Sequence, residues 1–252
     1  MSSSTSTRLG RDIRSHIPPA SDVPGVIRLR DPDAEVWNRA APYLAVRNND
    51  SHTLYAYGLA RALLALLPDA DPEVVLPAIL LHDTGWSTVS DDLILEAIAP
   101  GGGRPDLVLK HEKEGARIAT EVLSSLGRDS ETVRRIVEII DGHDSRLHAL
   151  HIDDAIVKDA DKLWRVTPHG IEIVCGWFGL SREESLRLTS LRVQDDLFTV
   201  PARAMARGFA AIGSIVVAPQ RAGLISRSTS LQVGDGTITV GPVGPREAAR
   251  PA

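Results

Sequence analysis

Apolar residues recur at three- and four-residue intervals through most of the chain, and that spacing predicts helices. A first helix is expected from Asp31 or Asp33, with Pro32 tolerated in its first turn and Val36, Trp37, Ala40 and Leu44 on one face. A second starts near Asp50 as its N-cap, with Tyr55, Leu59, Leu63 and Leu66 as its stripe and His52 one turn earlier, near the buried side. Asp71-Pro72-Glu73 restarts a helix, which Pro77 should kink. Residues 74–81 are apolar throughout, as in a core helix, and they run directly into His82-Asp83-Thr84-Gly85. Helices follow at 90–97, capped by Ser90, and from Asp106 to a stop at Gly127. The next begins at Ser130 and carries Val133, Ile136, Val137 and Ile140; another starts at about Asp153 and carries Ile156, Val157, Ala160 and Leu163. Ser181 and Glu184 form a capping box, and a last apolar helix spans about 201–217.

No alternating strand pattern occurs in the body of the chain, so the expected fold is an all-α helical bundle over residues 31–218. Residues 1–30, rich in Ser, Thr and Pro, read as a flexible arm. Residues 219–252 read as a tail that is disordered or forms a short hairpin around Gly234-Asp235-Gly236. The loop 100–105 is a lid or a linker; without a following Gly-Lys-Ser/Thr it is no phosphate-binding P-loop.

Composition narrows the classes. Hydrophobic residues make up 43% of the 252 and charged residues 24%, the balance of a soluble globular protein, while aromatics at 4% leave the core to Leu, Ile, Val and Ala. A formal net charge of −5 argues against nucleic acid polymers and anionic membranes as partners. The single cysteine, Cys175, forbids an internal disulfide and a cysteine zinc site, which fits a cytoplasmic protein. The N-terminus lacks the apolar core of a secretory signal, and no run of about 18 apolar residues is seen to span a membrane.

The candidate chemistry lies in the histidines. Four of the eight, His52, His82, His111 and His143, fall on buried helix faces or at helix ends, roughly thirty residues apart, each from a different helix. Asp83 and Asp161 accompany them. A carboxylate left unpaired at the end of a core helix would cost several kcal/mol, and a metal ion would compensate it. Imidazole and carboxylate without thiolate suit Mn, Fe, Co, Ni or Zn, as one or two divalent ions. His16, His148, His151 and His169 lack such a setting and read as surface or supporting residues.

The order His … His-Asp … His … His … Asp resembles the HD-domain superfamily of metal-dependent phosphohydrolases. The matching pieces are Ser51-His52-Thr53, Leu81-His82-Asp83-Thr84-Gly85, Lys110-His111-Glu112-Lys113, Gly142-His143-Asp144 and Lys158-Asp159-Ala160-Asp161-Lys162-Leu163, within about residues 45–170. The resemblance implies a helical bundle in which His52, His82, Asp83 and Asp161 hold one metal. His111 and His143 mark the subgroup with a second, bridged to the first by Asp83, the central catalytic residue. It implies hydrolysis of a phosphate ester or anhydride, nucleotides being the first class to consider, by metal-bound hydroxide. The partner implied is a small phosphorylated molecule. Arg47 and Lys162 are candidates to hold substrate oxygens, and Arg104, Arg146 and Arg165 are weaker ones. The sequence departs from its relatives at Trp86. Cyclic-dinucleotide phosphodiesterases and myo-inositol oxygenase carry a lysine there, and bacterial 5′-deoxynucleotidases a glutamate. Two alternatives stay open: a di-iron oxygenase cleaving a C–C or C–P bond of a polyol or phosphonate, and a regulatory module with a degenerate metal site.

Overall fold

A computed structural model describes residues 14–26, 28–101 and 103–225. The helices are α1 (Asp31–Ala40), α2 (Asn49–Leu64), α3 (Pro72–Leu81), α4 (Asp91–Ile98), α5 (Pro105–Ser125), α6 (Ser130–Ile140), α7 (Ile152–Trp164), α8 (Pro168–Phe178), α9 (Arg182–Asp196), α10 (Val200–Val217) and α11 (Pro219–Ile225). There is no strand among the described residues, so the fold is all-α. The proposed hairpin in the tail and the first part of the N-terminal arm lie outside the described residues.

Helix α3 is the hub, packing against α1, α2, α5, α6 and α7. Its sequence explains its position. Val74, Val75, Leu76, Ile79, Leu80 and Leu81 are at most 1% exposed, and an aliphatic side chain so buried contributes about 1.5–3 kcal/mol. A helix apolar on every side can only be surrounded. Asp71 caps it by accepting from the Glu73 N–H at 3.0 Å, and Pro72 occupies its first turn. Its C-terminal end therefore delivers His82 and Asp83 into the interior rather than to solvent.

Several local expectations shift. The N-cap position of α2 is Asn48, in the left-handed region at φ 62° and without a side-chain capping bond, and not Asp50. The buried face of α2 includes His52, Ala56, Tyr57, Leu59, Ala60 and Leu63, so Leu59 and Leu63 of the expected stripe are buried, whereas Tyr55 and Leu66 are 46% and 59% exposed. Helix α2 lies against both α3 and α7, and Ala56 and Ala60 are fully buried on it beside Tyr57, Leu59 and Leu63. The cap of α6 is Asp129, which accepts from the Thr132 N–H at 2.9 Å, one residue before the expected Ser130. Helix α8 was not expected, although Thr167-Pro168 starts it and Gly179, at φ 65°, stops it. The capping box of Ser181 and Glu184 is formed as the sequence suggests.

Helix α10 corrects the expectation that no stretch is long and apolar enough to cross a membrane, since 200–217 qualifies by length and composition. It includes Arg203 and Arg207, packs on α9 and α7, and buries Ala202 and Ala206 completely. Helix α11 then continues the helical part past residue 218.

Candidate metal centre

Two turns present the paired His-Asp sequences. At the end of α3 the His82 Nδ1–H donates to the Ile79 carbonyl at 2.8 Å, which turns the Nε2 lone pair inward. The following turn, 84–88, lies directly on α5. A Cβ on Gly85 would stand 1.9 Å from the His111 carbonyl oxygen and 2.5 Å from the Gly115 nitrogen. Only glycine permits that approach, and the approach sets His111 beside Asp83. At the end of α6 the chain reverses through Gly142 at φ 122°, and the His143 Nδ1–H donates to the Ile140 carbonyl at 2.9 Å.

Two buried charged residues pin the loop that follows. The Lys158 ammonium donates to the carbonyls of Gly142, His143 and Arg146 at 2.7, 3.0 and 2.8 Å. The Glu112 carboxylate accepts the N–H groups of Asp144 and Ser145, each at 2.8 Å, and the Ser145 hydroxyl at 2.7 Å. Behind His52, the ring of Trp164 makes an edge contact at 4.6 Å and donates its Nε1–H to His169 Nδ1 at 3.0 Å. His169 in turn stacks on Tyr55 at 4.3 Å, so it supports the centre from behind.

The six candidate ligands converge on Asp83. His52 Nε2 lies 3.2 Å from His82 Nε2, 3.3 Å from Asp161 Oδ1 and 3.4 Å from Asp83 Oδ2. On the other side, His111 Nε2 lies 3.3 Å from His143 Nε2. The Asp83 Oδ1 atom lies 3.8 and 3.6 Å from those two nitrogens. The two oxygens of one carboxylate thus face two histidine pairs. Two ligands each about 2.1 Å from a tetrahedral ion stand roughly 3.4 Å apart, so these spacings fit a cation in each group. The donor set, imidazole with carboxylate, fits divalent metals.

Electrostatics point the same way. Burial opposes charge on His143, yet Asp144, Asp83 and Glu112 outweigh it and raise its pKa to about 9. Burial likewise opposes charge on His82, but Asp83 and Asp161 raise it. Asp83, against the cost of burial, is held well below the usual carboxylate range by His82 and His143. His111 is pushed down to about 4 by burial and by His143. The metal-free centre therefore favours a proton on one imidazole of each pair, His82 and His143, while burial pushes His52 and His111 toward the neutral form. In the apoprotein the proton on His143 stabilises the fold fully below pH about 6.5, and that contribution is lost as pH rises through about 9. A metal must displace the same proton. Affinity for the ion at His143 should therefore rise close to tenfold per pH unit up to about pH 9, with proton release on binding. Calorimetry in buffers of different ionisation enthalpy measures both; a pH-independent affinity would contradict the assignment.

Arg47 and Asn48 both hold positive φ, 49° and 62°, and this strained pair turns the Arg47 side chain inward. Its guanidinium lies 5.6 Å from the Trp86 ring centre and 4.7 Å from that of Trp177, and donates to Asn49 Oδ1 at 3.1 Å. With His52, Asp83, Trp86 and Asp161 it lines a small cavity at the centre. Burial lowers the Arg47 pKa, with the Asp83 carboxylate opposing that shift. Lys162 stands farther out, in an adjoining cleft of about 300 Å³ with Arg165, Arg192, Trp177 and Phe178. Of the weaker arginine candidates, Arg165 is at the centre, 3.6 Å from Asp161 Oδ2. Arg104 pairs with Asp106 on the surface and Arg146 with Asp154.

Trp86 touches two of the candidate ligands. Its indole N–H donates to Asp83 Oδ1 at 3.1 Å, and its ring stacks on His111 at 3.9 Å. Sequence reasoning gave no role to Asp144, Glu112, Lys158, Trp164 or Trp177. For Glu112 and Lys158 a signal existed: each is a charged residue on the apolar face of its helix, and such a residue needs partners.

The HD domain family model matches residues 49–165, the segment that contains all six candidate ligands. A structural-genomics crystal structure of a protein from Lactobacillus plantarum shares the fold, with a TM-score of 0.51 at 18% identity, covering 79% of this chain and 100% of that one. No curated protein matches the sequence.

Proposed function

We propose, from the premise that residues 49–165 are an HD domain, that this protein is a metal-dependent hydrolase of small phosphate esters or anhydrides. The observation that carries the reading is the single carboxylate of Asp83 shared by two histidine pairs, beside a cleft that carries Lys162, Arg165 and Arg192 along with Asp144 and Asp196. A divalent ion held by these residues would supply a water of lowered pKa and a Lewis acid for a phosphoryl oxygen.

The chain's own groups do the rest. His82 and His143, oriented by their Nδ1–H bonds, would present Nε2 to an ion once the proton there is displaced. Arg47 and Arg165 face the centre from the cleft side and would neutralise the charge of a phosphoryl group. Trp86, Trp164 and Trp177 wall the small cavity and keep bulk water out. Lys162 and the exposed Arg192 stand farther away, placed for a second phosphate or another anionic group. Val174, Trp177 and Phe178 supply an apolar wall. A cleft of about 300 Å³ with cations at one side and aromatic rings at another suits a nucleotide-sized anion.

The purified protein with Mn²⁺, Co²⁺ or Fe²⁺ is expected to hydrolyse nucleotides in a phosphate-release screen and to lose the activity to a chelator. Lys162→Ala should raise KM about 10-fold or more while changing kcat little, since it removes a charged contact to a group remote from the reacting phosphorus. Arg47→Ala should lower kcat as well. Metal-loaded protein that releases no phosphate from any nucleotide or sugar phosphate, yet consumes oxygen with a phosphonate or polyol, would replace this reading by the oxygenase.

A further inference from the structure

The second histidine pair has one more oxygen facing it. Asp144 Oδ2 lies 3.6 Å from His111 Nε2 and 3.8 Å from His143 Nε2. Those separations are too long for hydrogen bonds and suit two ligands of a common ion. Asp161 Oδ1 stands in nearly the same relation to the first pair, 3.3 Å from His52 and 3.8 Å from His82. We propose that Asp144 is the fourth protein ligand of the second ion, so that each ion is held by two imidazoles and two carboxylate oxygens. The inference rests on the reading of the centre as a metal site and not on the substrate.

Three observations support it. Among the described residues no donor hydrogen-bonds the Asp144 carboxylate. The backbone of Asp144 is fixed without help from that side chain, because Glu112 holds its N–H and Lys158 holds the carbonyls of Gly142, His143 and Arg146. A carboxylate on a rigid turn, aimed at the Nε2 atoms of both histidines, is preorganised for a cation. Finally, His143-Asp144 repeats the setting of His82-Asp83. Each histidine lies in the turn after a helix, gives its Nδ1–H to the carbonyl three residues back, and precedes an aspartate. The difference between the two turns is reach. Asp83 lies between the pairs and offers both an oxygen, while Asp144 sits at the mouth of the cleft and reaches the second pair. With three carboxylates against two divalent ions, the centre would keep a small positive charge toward an anionic substrate.

Metal binding tests this without any assay of turnover. Apoprotein titrated with Co²⁺, followed by calorimetry and by the visible absorption of the bound ion, should take up two ions. Asp144→Ala and Asp144→Asn should keep the first and bind the second at least about tenfold more weakly. Asp144→His should restore the second ion with an altered spectrum, because the imidazole replaces one oxygen ligand by nitrogen. His143→Ala serves as the reference for loss of the second ion, and circular dichroism with thermal melting checks folding. Wild-type affinity and spectrum for both ions in Asp144→Ala would overturn the proposal. A wild-type protein that binds one ion would overturn it too, while leaving hydrolysis at the first site standing. No binding at all would remove the metal-dependent reading itself.

Discussion

Asp83→Ala should lose both ions and, with them, all but a trace of hydrolytic activity, a fall of roughly a thousandfold or more if each ion contributes a few kcal/mol to the transition state. The expectation follows from one carboxylate facing two histidine pairs, Oδ2 toward His52 and Oδ1 toward His143. His143→Ala, which touches one pair, should retain the first ion. Metal analysis of the two variants therefore separates a bridge from an ordinary ligand, and equal losses would argue against the bridge. A structural cost accompanies the chemical one. Trp86 Nε1, buried, would lose its acceptor, a penalty of about 1–3 kcal/mol. Asp83→Asn keeps an oxygen for that N–H and should melt closer to the wild type while still failing to hold both ions. His143 offers an independent readout, because removal of Asp83 takes away one of the charges that raise its pKa to about 9. NMR titration of the imidazole should find it lower in Asp83→Ala apoprotein.

Gly85→Ala should be among the most destabilising single-methyl additions in the chain. Its Cβ would meet the His111 carbonyl oxygen at 1.9 Å and the Gly115 nitrogen at 2.5 Å, and both are backbone atoms of α5 that cannot rotate aside. The turn 84–88 must lift or α5 must shift, at a cost of about 3 kcal/mol or more. For a domain of this size that lowers Tm by roughly 6–12 °C. Either movement separates His111 from Asp83, so the second ion should weaken even in the fraction that folds. Gly58→Ala is the matched control, since a Cβ there meets nothing within 4 Å, and replacing a helical glycine by alanine is neutral or stabilising. Similar melting temperatures for the two variants would mean that the turn does not pack on α5 in this way.

Much of the bundle was legible in the sequence for a local reason. The run at 74–81 is apolar on all sides, and a helix of that kind has one stable environment, the interior. The caps at Asp71 and Ser181 are written in short-range chemistry that no distant residue overrides. Helix α2 misled for the opposite reason. Leu59 and Leu63 of its stripe are buried, but its buried face depends on which neighbours pack closely, and Ala56 and Ala60 are buried where the larger Tyr55 is not. Helix α8 has start and stop signals at Thr167-Pro168 and Gly179, and it contributes Trp177 to the cleft wall.

What the sequence by itself determined is the list of metal-capable side chains and the ends of the helices that bear them. His52, His82, His111 and His143 with Asp83 and Asp161 form a pattern whose residue types have few other joint uses, and helix periodicity places each near the interior. Spacing along the chain cannot say which oxygen of Asp83 faces which pair, because that depends on how α2, α3, α5 and α6 cross. Only the tertiary structure decided that Gly85 and Gly115 let the turn after α3 rest on α5 and bring His111 into reach. It alone brought Asp144 to the second pair through a loop fixed by Glu112 and Lys158, residues 46 positions apart in sequence. The physical reason is range. Helix propensity, capping and burial are set within a few residues, whereas the direction of a lone pair at a shared centre is set by packing between helices far apart in the chain.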